Sequence, residues 1–105
     1  MKLTPLLAAL ALAATAGAAA AGSPGEDAMT KAGCMACHTK DKKLVGPALK
    51  DVAAKYKGQD VTAKLMDKVR KGGQGVWGPI PMPPNGTDKI DDATLKVAVE
   101  YILKL

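Results

Sequence analysis

Cys34-Met35-Ala36-Cys37-His38 places both cysteines and the single histidine of a 105-residue chain inside five consecutive positions. Whatever the chain folds into must present two thiols and an imidazole at one point. C-x-x-C-H is the attachment signal for a c-type haem. One helical turn aims two sulfurs at the two vinyl groups of the porphyrin, and the imidazole of the next residue reaches the iron. On this reading Cys34 and Cys37 become thioethers and His38 is an axial ligand, with one covalently bound haem c per chain.

Two other chemistries use similar spacings. A thioredoxin-like dithiol calls for a βαβ pattern nearby, and none is visible. A zinc site needs a fourth ligand and usually a second Cys or His pair, which the composition lacks.

The N-terminal stretch reads as an address. Lys2 precedes LLAALALAATAGAAAA, Leu6 to Ala21, a run too short and too alanine-rich to span a bilayer. Ala19 and Ala21 fit the A-x-A cleavage rule, which puts the cut before Gly22. The expected organisation is a secretory signal over 1–21 and one domain over 22–105, located in the periplasm with no stable membrane insertion. Without the leader, which carries one lysine, fourteen basic and ten acidic side chains remain, a formal charge of +4. So small a domain buries a limited core and usually needs a staple. With no Phe, and only Tyr56, Trp77 and Tyr101 as aromatic bulk, a bound cofactor fits that need.

Ser23-Pro24-Gly25-Glu26 has the form of a capping box with proline at the first helical position, so a helix is expected from here towards Cys37. Gly46-Pro47 can open a short helix through Lys50 to Lys57, stopped by Gly58. From Asp60, an N-cap candidate, Val61, Leu65 and Val69 recur at steps of four before Gly72-Gly73. Asp91 or Asp92 caps a last helix whose Leu95, Ala98, Ile102 and Leu105 share a face, with Tyr101 beside it. Between Gly72 and Gly86 stand five glycines and four prolines, too many breakers for a helix or a central strand. The expected fold is all-α, with one long, stiff loop.

That loop holds the second candidate ligand. Of five methionines, Met1 leaves with the leader, Met35 lies within the attachment turn, and Met29 and Met66 sit on helices among core neighbours. Met82 remains, in Ile80-Pro81-Met82-Pro83-Pro84, where prolines fix φ and a sulfur is presented with little loss of conformational freedom. Thioether sulfur is a known sixth ligand of haem iron and raises its potential.

KAGCMACH, VGPALKDVAAKY and GGQGVWGPIPMPPN together resemble a small bacterial class I cytochrome c of the c-551/c-552 type, across nearly all of 22–105. The resemblance implies about four short helices wrapped around one haem. It further implies that the Pro47 carbonyl takes the far nitrogen of His38, that Asn85 hydrogen-bonds the Met82 sulfur, and that the Trp77 indole donates to a haem propionate. A basic propionate partner falls at Lys68 or Arg70. Each position also has a plainer use: Pro47 as a helix starter, Trp77 as a core anchor, Asn85 as a turn residue.

With histidine and methionine both on the iron, no position is open for substrate, and the expected role is one-electron transfer, not enzymatic catalysis. A haem sensor or peroxidase would need Met82 to dissociate. The resemblance implies a soluble monomeric shuttle from a quinol-oxidising membrane complex to a terminal oxidase or nitrite reductase, with some of the lysines steering acidic partners. Gly73 to Gly78 fits G-x-G-x-x-G, but it follows a helix and runs into Pro79, which excludes a dinucleotide loop. Asp91-Asp92 is a helix start with no assigned chemistry. Nucleic-acid binding lacks both a motif and interleaved aromatics.

Overall fold

A computed structural model describes residues 23–105. The leader expected over 1–21 lies outside the described residues. Four helices, α1 (Pro24–Ala32), α2 (Leu49–Lys55), α3 (Thr62–Lys71) and α4 (Asp92–Leu103), are joined by a 3-10 turn over Cys34–Ala36 and a two-stranded antiparallel ribbon, β1 (Gly73–Gly75) and β2 (Gly78–Met82). No helix among them is long and apolar enough to cross a membrane.

The Ser23 hydroxyl accepts the Glu26 N–H at 3.3 Å and Pro24 opens α1, as the capping pattern requires. The helix stops short of the expected Cys37. Gly33 adopts φ 82° and returns its N–H to the carbonyls of Met29 and Thr30, the glycine ending of a helix. A tighter turn then carries Cys34 to Ala36.

The start of α2 has no side-chain cap. Its first free N–H groups are taken instead by the loop after His38, Leu49 N–H by Thr39 O at 2.9 Å and Lys50 N–H by Lys40 O at 3.1 Å. The helix thereby anchors the attachment loop. Asp60 does not cap α3; Val61 occupies that position without a side-chain bond, its carbonyl accepting from Leu65 N–H at 2.9 Å. Asp91, of the two candidates, caps α4, its carboxylate accepting the Thr94 N–H at 2.7 Å.

The breaker-rich segment is more ordered than a loop. Gly73 pairs with Met82 and Gly75 with Gly78, with a register shift between. Prolines are tolerated in β2 because a two-stranded ribbon has only edge strands, where a missing N–H faces away from the ladder. The fold remains mostly helical.

Helix α4 is the centre of the packing, touching α1, α2 and α3. Leu95, Ala98 and Val99 are its buried residues, packed with Ala28, Met29, Leu49 and Ile90. Val99 sits deeper than the expected Ile102 and Leu105, which are half-buried on the rim of the cluster. Helices α1 and α4 approach closely at Gly25, where an added Cβ would lie 2.3 Å from Tyr101 Cβ.

Candidate haem site

Between these elements opens a cleft of about 1210 Å³, measured out to its mouth and lined mainly by apolar side chains. Cys34, Cys37, His38 and Met82 all line it. Residues more than forty positions apart thus converge on one space. Leu49, Leu65, Leu95 and Val99 supply part of its apolar wall.

Cys34 and Cys37 are not joined by a disulfide, and each is half-buried. Burial pushes the Cys34 thiol up from its ordinary value, with the neighbouring Cys37 a smaller contributor.

His38 is held on one side of its ring. Its Nδ1 lies 2.8 Å from the Pro47 carbonyl oxygen, so Nδ1 carries the proton and donates, leaving Nε2 as a free lone pair. Gly46 is packed against the same ring: a Cβ there would stand 2.4 Å from His38 Cε1 and 2.8 Å from Nδ1. Its backbone N–H also donates to Cys37 O at 2.8 Å. Gly46 belongs to the site as much as Pro47 does. Sequence reasoning saw it only as a helix opener, and the G-P pair beside the C-x-x-C-H motif was the available signal.

Met82 ends β2, and its backbone crosses the end of α3 at Gly72. A Cβ on Gly72 would lie 2.3 Å from Met82 O and 2.9 Å from Pro83 C and Pro84 N, and the residue has φ 67°. Only glycine fits both constraints. The sequence marked Gly72 as a helix terminator; its use as a saddle for the methionine loop is a tertiary fact.

Lys68 and Trp77 also border the cleft. Trp77 is 40% exposed, and the Lys55 ammonium stands 5.5 Å from its ring centroid. Arg70 and Asn85 do not line the cleft. The Arg70 guanidinium turns the other way, donating to Ile90 O at 2.7 Å and Asn85 O at 3.3 Å and pairing with Asp92 at 2.6 Å. Of the two basic candidates, Lys68 is therefore the one that faces the site. Asn85 is buried, and its side-chain amide donates to Pro83 O at 3.1 Å and Val69 O at 3.3 Å, not to the Met82 sulfur. Both amide hydrogens are engaged by carbonyls, which replaces the expected sulfur contact with a brace on the backbone.

The donor set fits the group that C-x-x-C-H calls for. Two thiols, an imidazole nitrogen and a thioether sulfur meet in an apolar enclosure, with a lysine for a carboxylate at its border. Comparison with known proteins agrees. The Cytochrome c family profile matches residues 22–105. Cytochrome c-551 of Pseudomonas aeruginosa is 56% identical over 64 residues, which are 60% of this chain and 62% of that protein. Cytochrome c-551 of Pseudomonas denitrificans is 48% identical over 79% of this chain and 99% of its own. The crystal structure of Nitrosomonas europaea cytochrome c552 superposes with a TM-score of 0.71 at 47% identity, covering 76% of this chain and 98% of the other. With both cysteines in the C-x-x-C-H motif and the match spanning every described residue, this chain belongs to the cytochrome c family, whose members carry haem c covalently through cysteine.

Proposed function

We propose that the chain is a periplasmic electron carrier that passes single electrons through haem c, which Cys34 and Cys37 would hold covalently and whose iron His38 and Met82 would ligate. The electron-carrier role is that of the cytochrome c family to which it belongs. The observation that carries the finer reading is the convergence of His38 and Met82, from separate elements, on one apolar cleft that also presents both thiols.

When bound, the haem supplies a one-electron iron couple. The protein's residues do the rest. Pro47 O fixes the His38 tautomer and raises the basicity of the ring. The prolines flanking Met82 and the ribbon pairing Gly73 with Met82 hold the sulfur in place without side-chain searching. Apolar walls keep water from the centre and favour the less charged, reduced state, as does a thioether ligand. Lys68, at the border, offers a cation to a propionate. With His38 and Met82 both committed to holding the iron, no position would be open to a substrate, which suits a carrier and not an enzyme.

The leader over 1–21 sends the protein to the periplasm, where a quinol-oxidising membrane complex is the proposed donor and a terminal oxidase or nitrite reductase the proposed acceptor. Its excess of basic side chains favours acidic docking surfaces.

An anaerobic redox titration of the purified holoprotein, followed by visible spectra, tests the reading. The expected result is a single one-electron wave, six-coordinate low-spin iron in both states, and a sulfur-to-iron charge-transfer band in the oxidised form that Met82→Ala abolishes. Rapid carbon monoxide binding to the reduced wild-type protein would overturn it in favour of a sensor or peroxidase.

A further inference from the structure

Arg70 lies in the last turn of α3 and points away from the cleft, yet it bonds to three residues that follow Met82: Asn85, Ile90 and Asp92. Its Nη1 donates to the carbonyls of Asn85 and Ile90, at 3.3 and 2.7 Å, and its Nη2 reaches Asp92 Oδ1 at 2.6 Å. The side chain is only 20% exposed, so the carbonyl bonds are sheltered from water, whereas Asp92 is 80% exposed and its ion pair is screened. The two carbonyl bonds are therefore the substance of the contact.

Asn85 is the fulcrum. Its N–H donates to Val69 O at 3.0 Å, and its buried amide donates to Val69 O and Pro83 O. Arg70 closes the arrangement by taking the remaining carbonyl of Asn85. Only Pro83 and Pro84 separate this anchor from Met82, and both have fixed φ, so little freedom lies between the anchored residue and the sulfur-bearing one. On its other side Met82 is paired with Gly73, also just past the end of α3. The methionine is pinned to one helix terminus from both directions.

We propose that Arg70 is a positioning residue for the iron's sulfur ligand, clamping the Asn85 to Asp92 segment so that the Met82 loop cannot lift from the end of α3. The proposal rests on Met82 as axial ligand. A planar guanidinium suits the task because it reaches two carbonyls and a carboxylate at once, which a lysine ammonium at the same position does not.

The test is displacement of Met82 by imidazole in the oxidised holoprotein, followed through the charge-transfer band. Arg70→Ala is expected to raise apparent imidazole affinity about tenfold, the loss of roughly one charge-assisted hydrogen bond. Arg70→Lys, which keeps the charge and a donor, is expected to fall between Arg70→Ala and wild type, and it provides the measurement if the alanine variant does not mature. Ala28→Gly, a buried helix substitution off the cleft, serves as a control for general destabilisation. Imidazole affinity in the Arg70 variants within twofold of wild type, or no higher than in the control, overturns the clamp while leaving the ligand assignment intact. A wild-type protein without the charge-transfer band removes both.

Discussion

At Gly46 a single methyl group would displace the imidazole proposed to ligate the iron. The Cβ of an alanine there would come 2.4 Å from His38 Cε1, so the imidazole must rotate or the loop must move, and the bond from Nδ1 to Pro47 O is the first to go. Overpacking of this kind costs about 1–3 kcal/mol. Gly46→Ala is therefore expected to lower the unfolding free energy of the holoprotein by that amount. It should also raise the reduction potential, because an imidazole that has lost its carbonyl partner is a weaker donor to oxidised iron. Denaturant titration and the redox midpoint read the two effects separately, and a variant with an unshifted midpoint would show that Pro47 does not tune the ring. Met82 is the complementary case: its prolines make it recognisable in the sequence, while the residue that accommodates its backbone, Gly72, lies ten positions earlier.

The helices do not all begin in the same way, and the devices differ in how much the local sequence reveals. Ser23 and Asp91 cap with their own side chains, the first legible in its local sequence and the second narrowed there to Asp91 or Asp92. The attachment loop supplies carbonyls to the start of α2, a long-range solution with no local signature. For Asp91 the backbone N–H of Thr94 holds the carboxyl below the usual carboxylate range, with Arg70 a lesser influence. Asp91→Ala is expected to lower the thermal unfolding midpoint at neutral pH, as the loss of an N-cap does, with no change in the visible spectrum. Thermal unfolding together with the spectrum distinguishes this from a change at the iron. The ribbon β1–β2 was the element least legible beforehand, since five glycines and four prolines in one segment hide a pairing that depends only on backbone.

Over the molecule as a whole, Glu26 joins three parts that are distant in the chain. Its carboxylate accepts from the Tyr101 hydroxyl of α4 and pairs with Lys40, just beyond the attachment motif, at 2.6 Å. Lys40 first, and Tyr101 second, hold the Glu26 carboxyl below an ordinary value of 4.5. A carboxylate with a depressed folded-state pKa adds stability that is complete above the unfolded value and is lost as pH falls through the folded one. Asp41, beside Lys50, shifts in the same direction. Denaturation midpoints should stay level from neutral pH down to about 5 and then decline. Glu26→Gln should be less stable at neutral pH and show a shallower acid decline. A wild-type acid slope unchanged by that substitution would mean that the cluster does not join these parts energetically.

The attachment pentapeptide and the helical periodicity are sufficient to define the cofactor and the class of fold, and the proline-bracketed methionine to propose the second iron donor, because each is encoded by residues within a few positions of one another. Lys68 and Arg70 show where such reasoning stops. They stand two apart on one helix, and which of them faces the cleft depends on how α3 is rotated against α4 and on carbonyls at 85 and 90 that lie far along the chain. The resemblance implies a sulfur partner for the Asn85 amide, and the carbonyls of Val69 and Pro83 that it meets instead are likewise set by the fold. Local chemistry is written in sequence, whereas the direction in which a side chain turns is decided by partners that only tertiary packing brings within reach.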